Sequence, residues 1–200
     1  MYLTPDTPPG CTDAVDLDTG AWWRLRALLQ SDLIAEGISP MVQAVSLRDS
    51  NLPPSPDDQH RNALLSERLL AASVAAASPI PAPLWSAWRA LRAELDAVNR
   101  SVAALQAQAD KGVDVGPALA EARARAEALR PELDAARAAA VDPAARGPWK
   151  ALKVTLDPGI TGDGVVYYAD LPGSALGVIA QAMNGRREAT AERLRSFLGG

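Results

Sequence analysis

Two stretches of the chain place apolar residues at alternating intervals of four and three. The first contains Leu84, Trp88, Leu91, Leu95, Val98, Val102 and Leu105, and the second contains Val115, Leu119, Ala122, Ala126, Leu129, Leu133, Ala136 and Ala140. This spacing is typical of the apolar seam of a coiled coil. Each seam is too narrow to be stable alone, and only a short break at 110–112 separates the two. We therefore predict an antiparallel coiled-coil helical hairpin over 84–141.

Prolines affect the chain at two places, just before this hairpin and within its second helix. Residues 78–83 contain three prolines, which cannot continue a helix and favour a stiff extended segment, so we predict a hinge there. Pro131 lies on the face of the second helix that points away from the seam. It should bend that helix without ending it.

The N-terminal part is predicted to be an extended arm over 1–17 followed by a helical module over 18–77. Prolines at positions 5, 8 and 9 disfavour helix in the arm. The first helix of the module is indicated by the helical spacing of Trp22, Leu25, Leu29 and Leu33. Its last helix should begin at Ser55 as N-cap and run to residue 77.

The last part of the chain, 148–200, combines two β-prone runs with a helical pattern. Leu152, Val154 and Leu156 alternate with other residues, and a second run at 165–168 follows a loop rich in Gly and Asp. These runs predict a small β-hairpin, and a C-terminal helix should follow with Ser174 as its cap. The complete pattern indicates a mainly α protein: a helical module, a long antiparallel αα-hairpin, a small β-hairpin and a C-terminal helix.

The amino-acid composition excludes or disfavours several classes of protein. With 48% hydrophobic and 22% charged residues, the chain can bury a core, which excludes full disorder. The net charge of −4 disfavours nucleic acid as a partner of the protein as a whole. No apolar stretch is long enough to cross a membrane, and the acidic N-terminus does not resemble a secretory signal. We expect the protein in the cytoplasm of a host cell or in a virion.

Few side chains offer catalytic or metal-binding chemistry. Cys11 is the only cysteine and His60 the only histidine, which excludes an intramolecular disulfide and a Cys/His zinc site within one chain. His60 stands beside acidic residues at a predicted helix start, where a surface role is favoured over a catalytic base. The loop over 157–164 lacks the acidic spacing of a calcium site. We predict no catalytic residue, no metal, no cofactor and no enzymatic activity.

Tryptophans near predicted element junctions are candidates for partner binding. We assign partner binding to six residues: Trp22, Trp23, Trp85, Trp88, Leu91 and Leu95. Core packing explains tryptophans at such positions equally well. The run of Ala, Arg and Glu over 118–140 is interpreted as a solvated helix face in preference to a nucleic-acid face.

An alternative function is DNA binding through a degenerate helix-turn-helix over 174–198. Arg186 and Arg187 would open its second helix and contact nucleic acid. Gly185, Thr190 and Arg193 depart from the apolar pattern of that motif, and a kinked amphipathic helix is the competing interpretation.

One segment resembles a known family. Residues 16–25, the Leu28 and Leu29 pair, the run 52–54 and the acidic helix start at 57–58 look like the opening of small siphophage proteins encoded in the tail-assembly region, upstream of the tape-measure protein. The resemblance covers residues 16–75 and implies a tail assembly chaperone or a virion component. The hypothesis from sequence is therefore a non-enzymatic structural or assembly protein of a phage particle or tail. Its partners would be other protein chains, either further copies of itself or phage structural proteins.

Overall fold

The computed structural model describes residues 6–35, 38 and 55–198, with the side chains of 30, 35 and 186–198 left out. The chain forms two compact units. The sheet unit comprises Met1–Ser78 and Pro148–Gly200, and the hairpin unit comprises Pro79–Gly147. The hairpin unit is thus inserted into the sequence of the sheet unit. Residues 1–5 of the predicted arm (1–17) and residues 36, 37 and 39–54 of the predicted helical module (18–77) lie outside the described residues.

The sheet unit begins with two antiparallel strands, β1 (Cys11–Asp16) and β2 (Ala21–Arg26). The extended arm expected up to residue 17 and the helix expected from residue 18 are therefore wrong in this region. The carboxylate of Asp16 accepts hydrogen bonds from the backbone N–H and the hydroxyl of Thr19, which fixes the turn. The helical spacing of Trp22 and Leu25 misled the prediction, because both residues are buried on a strand by the pairing of β2 with β1.

Two helices of the predicted module are seen. α1 (Gln30–Ala35) is short, and α2 (Pro56–Ser73) begins as predicted at Ser55. The Ser55 side chain accepts from the N–H of Asp58, and the Asp58 side chain accepts from the N–H of Ser55, which is a capping box. The expected extension of α2 to residue 77 is wrong, since strand β3 (Val74–Pro79) takes over after Ser73.

Four strands form the main sheet, in the order β1-β2-β3-β4. β4 (Lys150–Ala151) pairs antiparallel with β3, placing Lys150 opposite Ala77. The strands β5 (Lys153–Thr155) and β6 (Val165–Tyr167) form a separate two-stranded sheet.

The predicted β-hairpin in the last part of the chain is wrong, because β5 and β6 run parallel. The connecting loop returns to the start of β5, where the N–H of Lys153 donates to the carbonyl of Gly164 at 2.8 Å. Gly164 has a φ of +71°, and a Cβ on it would lie 2.7 Å from the carbonyl oxygen of Ala151. Only glycine fits this return of the chain without displacing its neighbours.

The predicted C-terminal helix is confirmed as α5 (Gly173–Leu198). It continues through Asn184 and Gly185, so the turn required by the helix-turn-helix interpretation is absent from the described backbone, and that interpretation is wrong. Arg186 and Arg187 lie within this single helix, and their side chains are outside the described residues. A glycine inside a helix costs only about 1 kcal/mol, which the burial of the preceding turns offsets.

The core of the sheet unit lies between α5 and one face of the β1–β2 pair. Ala14, Trp23 and Leu25 of the strands are in one buried cluster with Ala175 and Ile179 of the helix. The remaining buried members also come from the sheet unit: Ala71, Val74, Val154, Leu171 and Ala182. No residue of the hairpin unit belongs to this cluster of described residues, so the core is complete without the hairpin.

The hairpin unit consists of two helices that pack closely against each other, α3 (Ala82–Ala109) and α4 (Gly116–Ala140). The predicted antiparallel helical hairpin is thereby confirmed. Every predicted seam residue is buried or half-buried, whereas almost all other positions of the two helices are exposed. α4 continues through Pro131, as expected for a proline on the exposed face.

Backbone hydrogen bonds define both ends of the hairpin. Gly112 has a φ of +82°, its N–H donates to the carbonyl of Ala109, and the N–H of Val113 donates to the carbonyl of Gln108. These two bonds form a Schellman motif, which ends α3. At the other end, the carbonyl of Pro79 accepts from the N–H of Gly147 at 3.1 Å. The segment predicted as a hinge therefore includes the end of β3 and the boundary between the two units.

Candidate functional site

Trp22 and Trp23 are core residues and do not form a partner-binding surface. Both lie on β2, where Trp22 is 0% and Trp23 6% exposed. Trp23 belongs to the cluster beneath α5. The assignment of these two tryptophans to partner binding is wrong, because successive residues of β2 point to opposite faces of the sheet and both side chains are buried.

The other four predicted binding residues lie together on α3, in the hairpin unit. Trp88 is buried, whereas Trp85, Leu91 and Leu95 are half-buried. The guanidinium of Arg89 lies 4.8 Å from the ring centre of Trp85, and that of Arg92 lies 5.4 Å from the ring centre of Trp88. Trp88 is only 4% exposed, so it is a core residue of the hairpin and its assignment to partner binding is wrong. The start of α3 therefore presents the half-buried ring of Trp85 with Arg89 over it, an arrangement that favours contacts both with apolar groups and with carboxylates.

One edge of the hairpin is rich in arginine. On α4, Arg123, Arg130 and Arg137 each directly follow a seam residue and are spaced seven residues apart. The corresponding positions on α3 are Trp85, Arg92, Asn99 and Gln106. Arg123 Nη2 donates to Gln106 Oε1 at 2.7 Å, which shows that the two sets lie on the same side of the hairpin. We call these seven residues the arginine edge.

The opposite edge of the hairpin is formed by residues that directly precede every second seam position, such as Glu94 before Leu95 and Arg125 before Ala126. There, Arg125 donates to Glu94 of the other helix in an ion pair. This interhelical pair neutralises charge locally. The two edges of the hairpin therefore differ in their electrostatics.

Arginines of the arginine edge have little compensation from carboxylates. Arg130 and Arg137 are exposed and form no ion pair with any described residue. Arg92 lies 3.9 Å from Asp96, with both side chains 55% exposed, which is a weak contact. None of the seven residues is acidic, although the hairpin unit contains nine acidic and nine basic residues. The edge is a positive stripe that holds four of these nine basic residues, and the rest of the unit carries nine acidic and five basic residues.

Sequence reasoning missed this stripe, although its signal is present in the chain. The run over 118–140 contains Arg and Glu in mixed order, which indicated a solvated face with interspersed charges. Sorting the same residues by their position relative to the seam separates Arg123, Arg130 and Arg137 from the acidic residues of α4. The position of each charged residue relative to the seam, and not the number of charged residues, therefore predicts the positive stripe.

The charged cluster of the sheet unit has a structural role. Arg24 Nε and Nη2 donate to the carboxylate of Asp13, each at 2.8 Å, and the guanidinium lies 4.1 Å from the ring centre of Trp149. Thr7 adds a hydrogen bond to the same carboxylate at 2.9 Å. The hydrogen bond from Arg24 to Asp13 raises the pKa of Arg24, so the guanidinium stays charged. The cluster fixes β1 to β2.

Residues with metal-binding or nucleophilic chemistry are dispersed. His60 is exposed in α2, and Cys11 is half-buried in β1. Among the described residues, no three His, Cys, Asp or Glu side chains are grouped so that they could hold a metal ion. No described helix combines the length and the apolar character that crossing a membrane requires.

Comparisons with known proteins do not assign a family. No protein-family model matches the chain, and no curated protein or solved structure matches it. The hairpin and its arginine edge are therefore the features from which we infer a function.

Proposed function

We propose that this protein is a non-enzymatic structural or assembly protein, and that it acts by protein–protein contacts through its helical hairpin. The observation that supports this proposal most directly is the partial covering of the hairpin seam. Of the seven seam residues on α3, only Trp88 is buried, and the other six are half-buried. Two helices leave a groove on either side of their seam, and a helix from another chain can fill such a groove.

The independence of the sheet core also supports a binding role for the hairpin. All members of the buried cluster in the sheet unit lie outside 79–147. The hairpin is therefore not needed to complete that core, and its 69 residues can serve intermolecular contacts instead.

We further propose that the setting is a bacteriophage particle or its tail. This part of the proposal is supported by the resemblance of residues 16–75 to proteins of the siphophage tail-assembly region. Its partners would be phage structural proteins or further copies of the chain. Flanking genes that encode tail or capsid proteins would support this setting, and a neighbourhood of metabolic genes would contradict it.

Removing the hairpin gives a direct test of the proposed function. Ala77 and Lys150 face each other on β3 and β4, so residues 79–148 can be replaced by a two-residue Asn-Gly turn that joins the two strands in the same register. We expect this deletion variant to unfold cooperatively, because the sheet core is unchanged. Circular dichroism and urea unfolding would check its fold.

Partner capture from a lysate of the infected host would then be compared between the full chain and the deletion variant. Sedimentation velocity of both proteins would detect self-association. We expect the full chain to retain partner chains and the folded deletion variant to lose them. Equal capture by both proteins, or a monomeric full chain that captures nothing, would contradict the proposed function.

A further inference from the structure

We propose that the arginine edge binds an acidic amphipathic helix of a partner protein, which packs along the groove between α3 and α4 as the third helix of a bundle. This inference rests on the proposed function and names the chemistry of the partner. It follows from the spacing of the arginines, the apolar floor of the groove and the distribution of carboxylates around it.

The spacing of the arginines matches that of a helix. Arg123, Arg130 and Arg137 are seven residues apart, which corresponds to about 10 Å along the axis of α4. A helix packed alongside α4 presents equivalent positions at the same interval of seven residues. Carboxylates at one heptad position of the partner can therefore meet all three arginines in a single register.

The positive charge is greatest near the base of the hairpin. Arg123 contacts Gln106 across the hairpin, and a step of fourteen residues away from the turn on each helix leads to Arg137 and Arg92, so these two arginines face each other across the groove. Like charges at facing positions are unfavourable unless a carboxylate lies between them. Arg89 is close by, over the ring of Trp85. A glutamate of the partner placed here would meet several guanidinium groups.

The groove also has an apolar floor. Leu91, Leu95, Val98 and Leu105 of the seam are half-buried, and Trp85 is half-buried at one end of the arginine edge. A third helix would cover these side chains and remove apolar area from water. The partner must therefore be amphipathic, with an apolar face beside its carboxylates.

Nucleic acid fits this groove less well than an acidic helix does. Glu127 and Asp134 lie four residues after Arg123 and Arg130, on the outer side of the stripe, and both are exposed. These carboxylates would repel a phosphate backbone broader than one helix. The net charge of −4 adds to this repulsion.

A second copy of the hairpin fits less well for a similar reason. It would have to present carboxylates at intervals of seven residues. Glu127 and Asp134 of α4 have this interval, but each lies four residues from an arginine of the arginine edge, so a second copy would also bring its arginines against those of the first. On the edge opposite the arginine edge, Glu94 is already paired with Arg125. We therefore assign the groove to a helix of a different protein.

Binding of a designed probe to the full-length protein tests the inference. The probe is a labelled amphipathic helical peptide of about four heptads with apolar seam residues and Glu at the positions beside the seam. The control peptide has Lys in place of every Glu. We expect fluorescence anisotropy to show binding of the acidic peptide only, and this binding should weaken as salt is added.

Charge-matched variants identify the surface that binds. We expect Arg130→Gln with Arg137→Gln to weaken binding of the acidic peptide about tenfold. The control variant is Arg61→Gln with Arg100→Gln, which removes two exposed arginines outside the arginine edge and should leave binding unchanged. Circular dichroism of both variants checks that the helices are intact.

Three results would overturn the inference: equal binding of the acidic and basic peptides, no binding of the acidic peptide, or equal binding by the two double variants. Binding of duplex DNA in place of the peptide would also overturn the inference if that binding depends on Arg130 and Arg137, because the surface would then bind nucleic acid.

If deletion of the hairpin abolishes partner capture but the loss of Arg130 and Arg137 does not, this inference fails and the proposed function stands. If deletion leaves capture unchanged, the proposed function itself fails.

Discussion

Asp13 and Arg24 stand directly opposite each other on β1 and β2, and their side chains form a bidentate ion pair with both N···O distances at 2.8 Å. The side chain of Asp13 is 0% exposed and that of Arg24 is 10% exposed. A buried ion pair is costly to break, because removing one partner leaves the other charge without compensation. The pair thus makes the register of β1 against β2 specific.

Asp13→Ala should destabilise the protein by about 3–5 kcal/mol, because it removes the buried bidentate partner of the Arg24 guanidinium and leaves only the half-exposed Asp6, 3.5 Å from Arg24 Nη2. Urea unfolding followed by tryptophan fluorescence measures this change. The control is Asp18→Ala in the adjacent turn, where the side chain is exposed and the expected change is about 0.5 kcal/mol or less. A loss below about 1 kcal/mol for Asp13→Ala would show that the pair is not needed for the fold.

Tyr168 should make stability depend on pH in the alkaline range. Burial, and to a smaller extent the charge of Glu67, raises the pKa of Tyr168 above its ordinary value of 10.0. Because the folded state holds the phenol proton more tightly, this contribution to stability is fully present below pH 10.0 and is lost as the pH rises through the folded-state pKa.

Unfolding free energies measured at several pH values from neutral to alkaline would show this decline. Tyr168→Phe should make it shallower, since the titrating group is gone. Glu67→Gln should lower the pKa of Tyr168 only in part, because burial is the larger cause. An identical alkaline decline in the wild-type protein and in Tyr168→Phe would assign the pH dependence to other groups.

Gly112→Ala should destabilise the hairpin by about 1–2 kcal/mol, because a residue with a side chain is strained at a φ of +82°. No atom lies within 4 Å of the added Cβ, so backbone strain is the only cost. Gly116→Ala is a suitable control, since Gly116 lies at the start of α4 without a positive φ and its added Cβ would make an ordinary contact at 3.7 Å. Thermal unfolding followed by circular dichroism compares the two variants. Equal effects would argue against the Schellman motif as the end of α3.

The register of the hairpin can be tested by a disulfide. The interhelical contacts of Arg123 with Gln106 and of Arg125 with Glu94 place Val98 opposite Ala126 in the seam. In a Cys11→Ser background, Val98→Cys with Ala126→Cys should form an intramolecular disulfide on mild oxidation, because facing seam residues approach closely enough.

The control for this cross-link is Val98→Cys with Leu133→Cys, which displaces one cysteine by a heptad, or about 10 Å, beyond the reach of a disulfide. Thiol titration and mass spectrometry distinguish the two products. Efficient cross-linking of the displaced pair would mean that the helices pack in another register.

Elements stabilised by neighbouring residues could be read from the sequence. The capping box of α2 links Ser55 to Asp58, only three residues away, and the hairpin seams repeat every three or four residues. The short turn around Gly112 connects the two helices, so their seams are neighbours in the chain and pack against each other. Because helical signals are local, the sequence also placed Trp85, Leu91 and Leu95 correctly in the first helix of the hairpin, where they are half-buried.

Strand pairing depended on residues that lie far apart in the chain, and local patterns misassigned it. Trp22 and Leu25 have the spacing of a helix face, but β1 on one side and β3 on the other draw this segment into a sheet. β3 finds its partner β4 only after the 69 residues of the hairpin unit. Because backbone hydrogen bonds in a sheet join distant segments, only the tertiary structure decided that Trp22 and Trp23 are core residues.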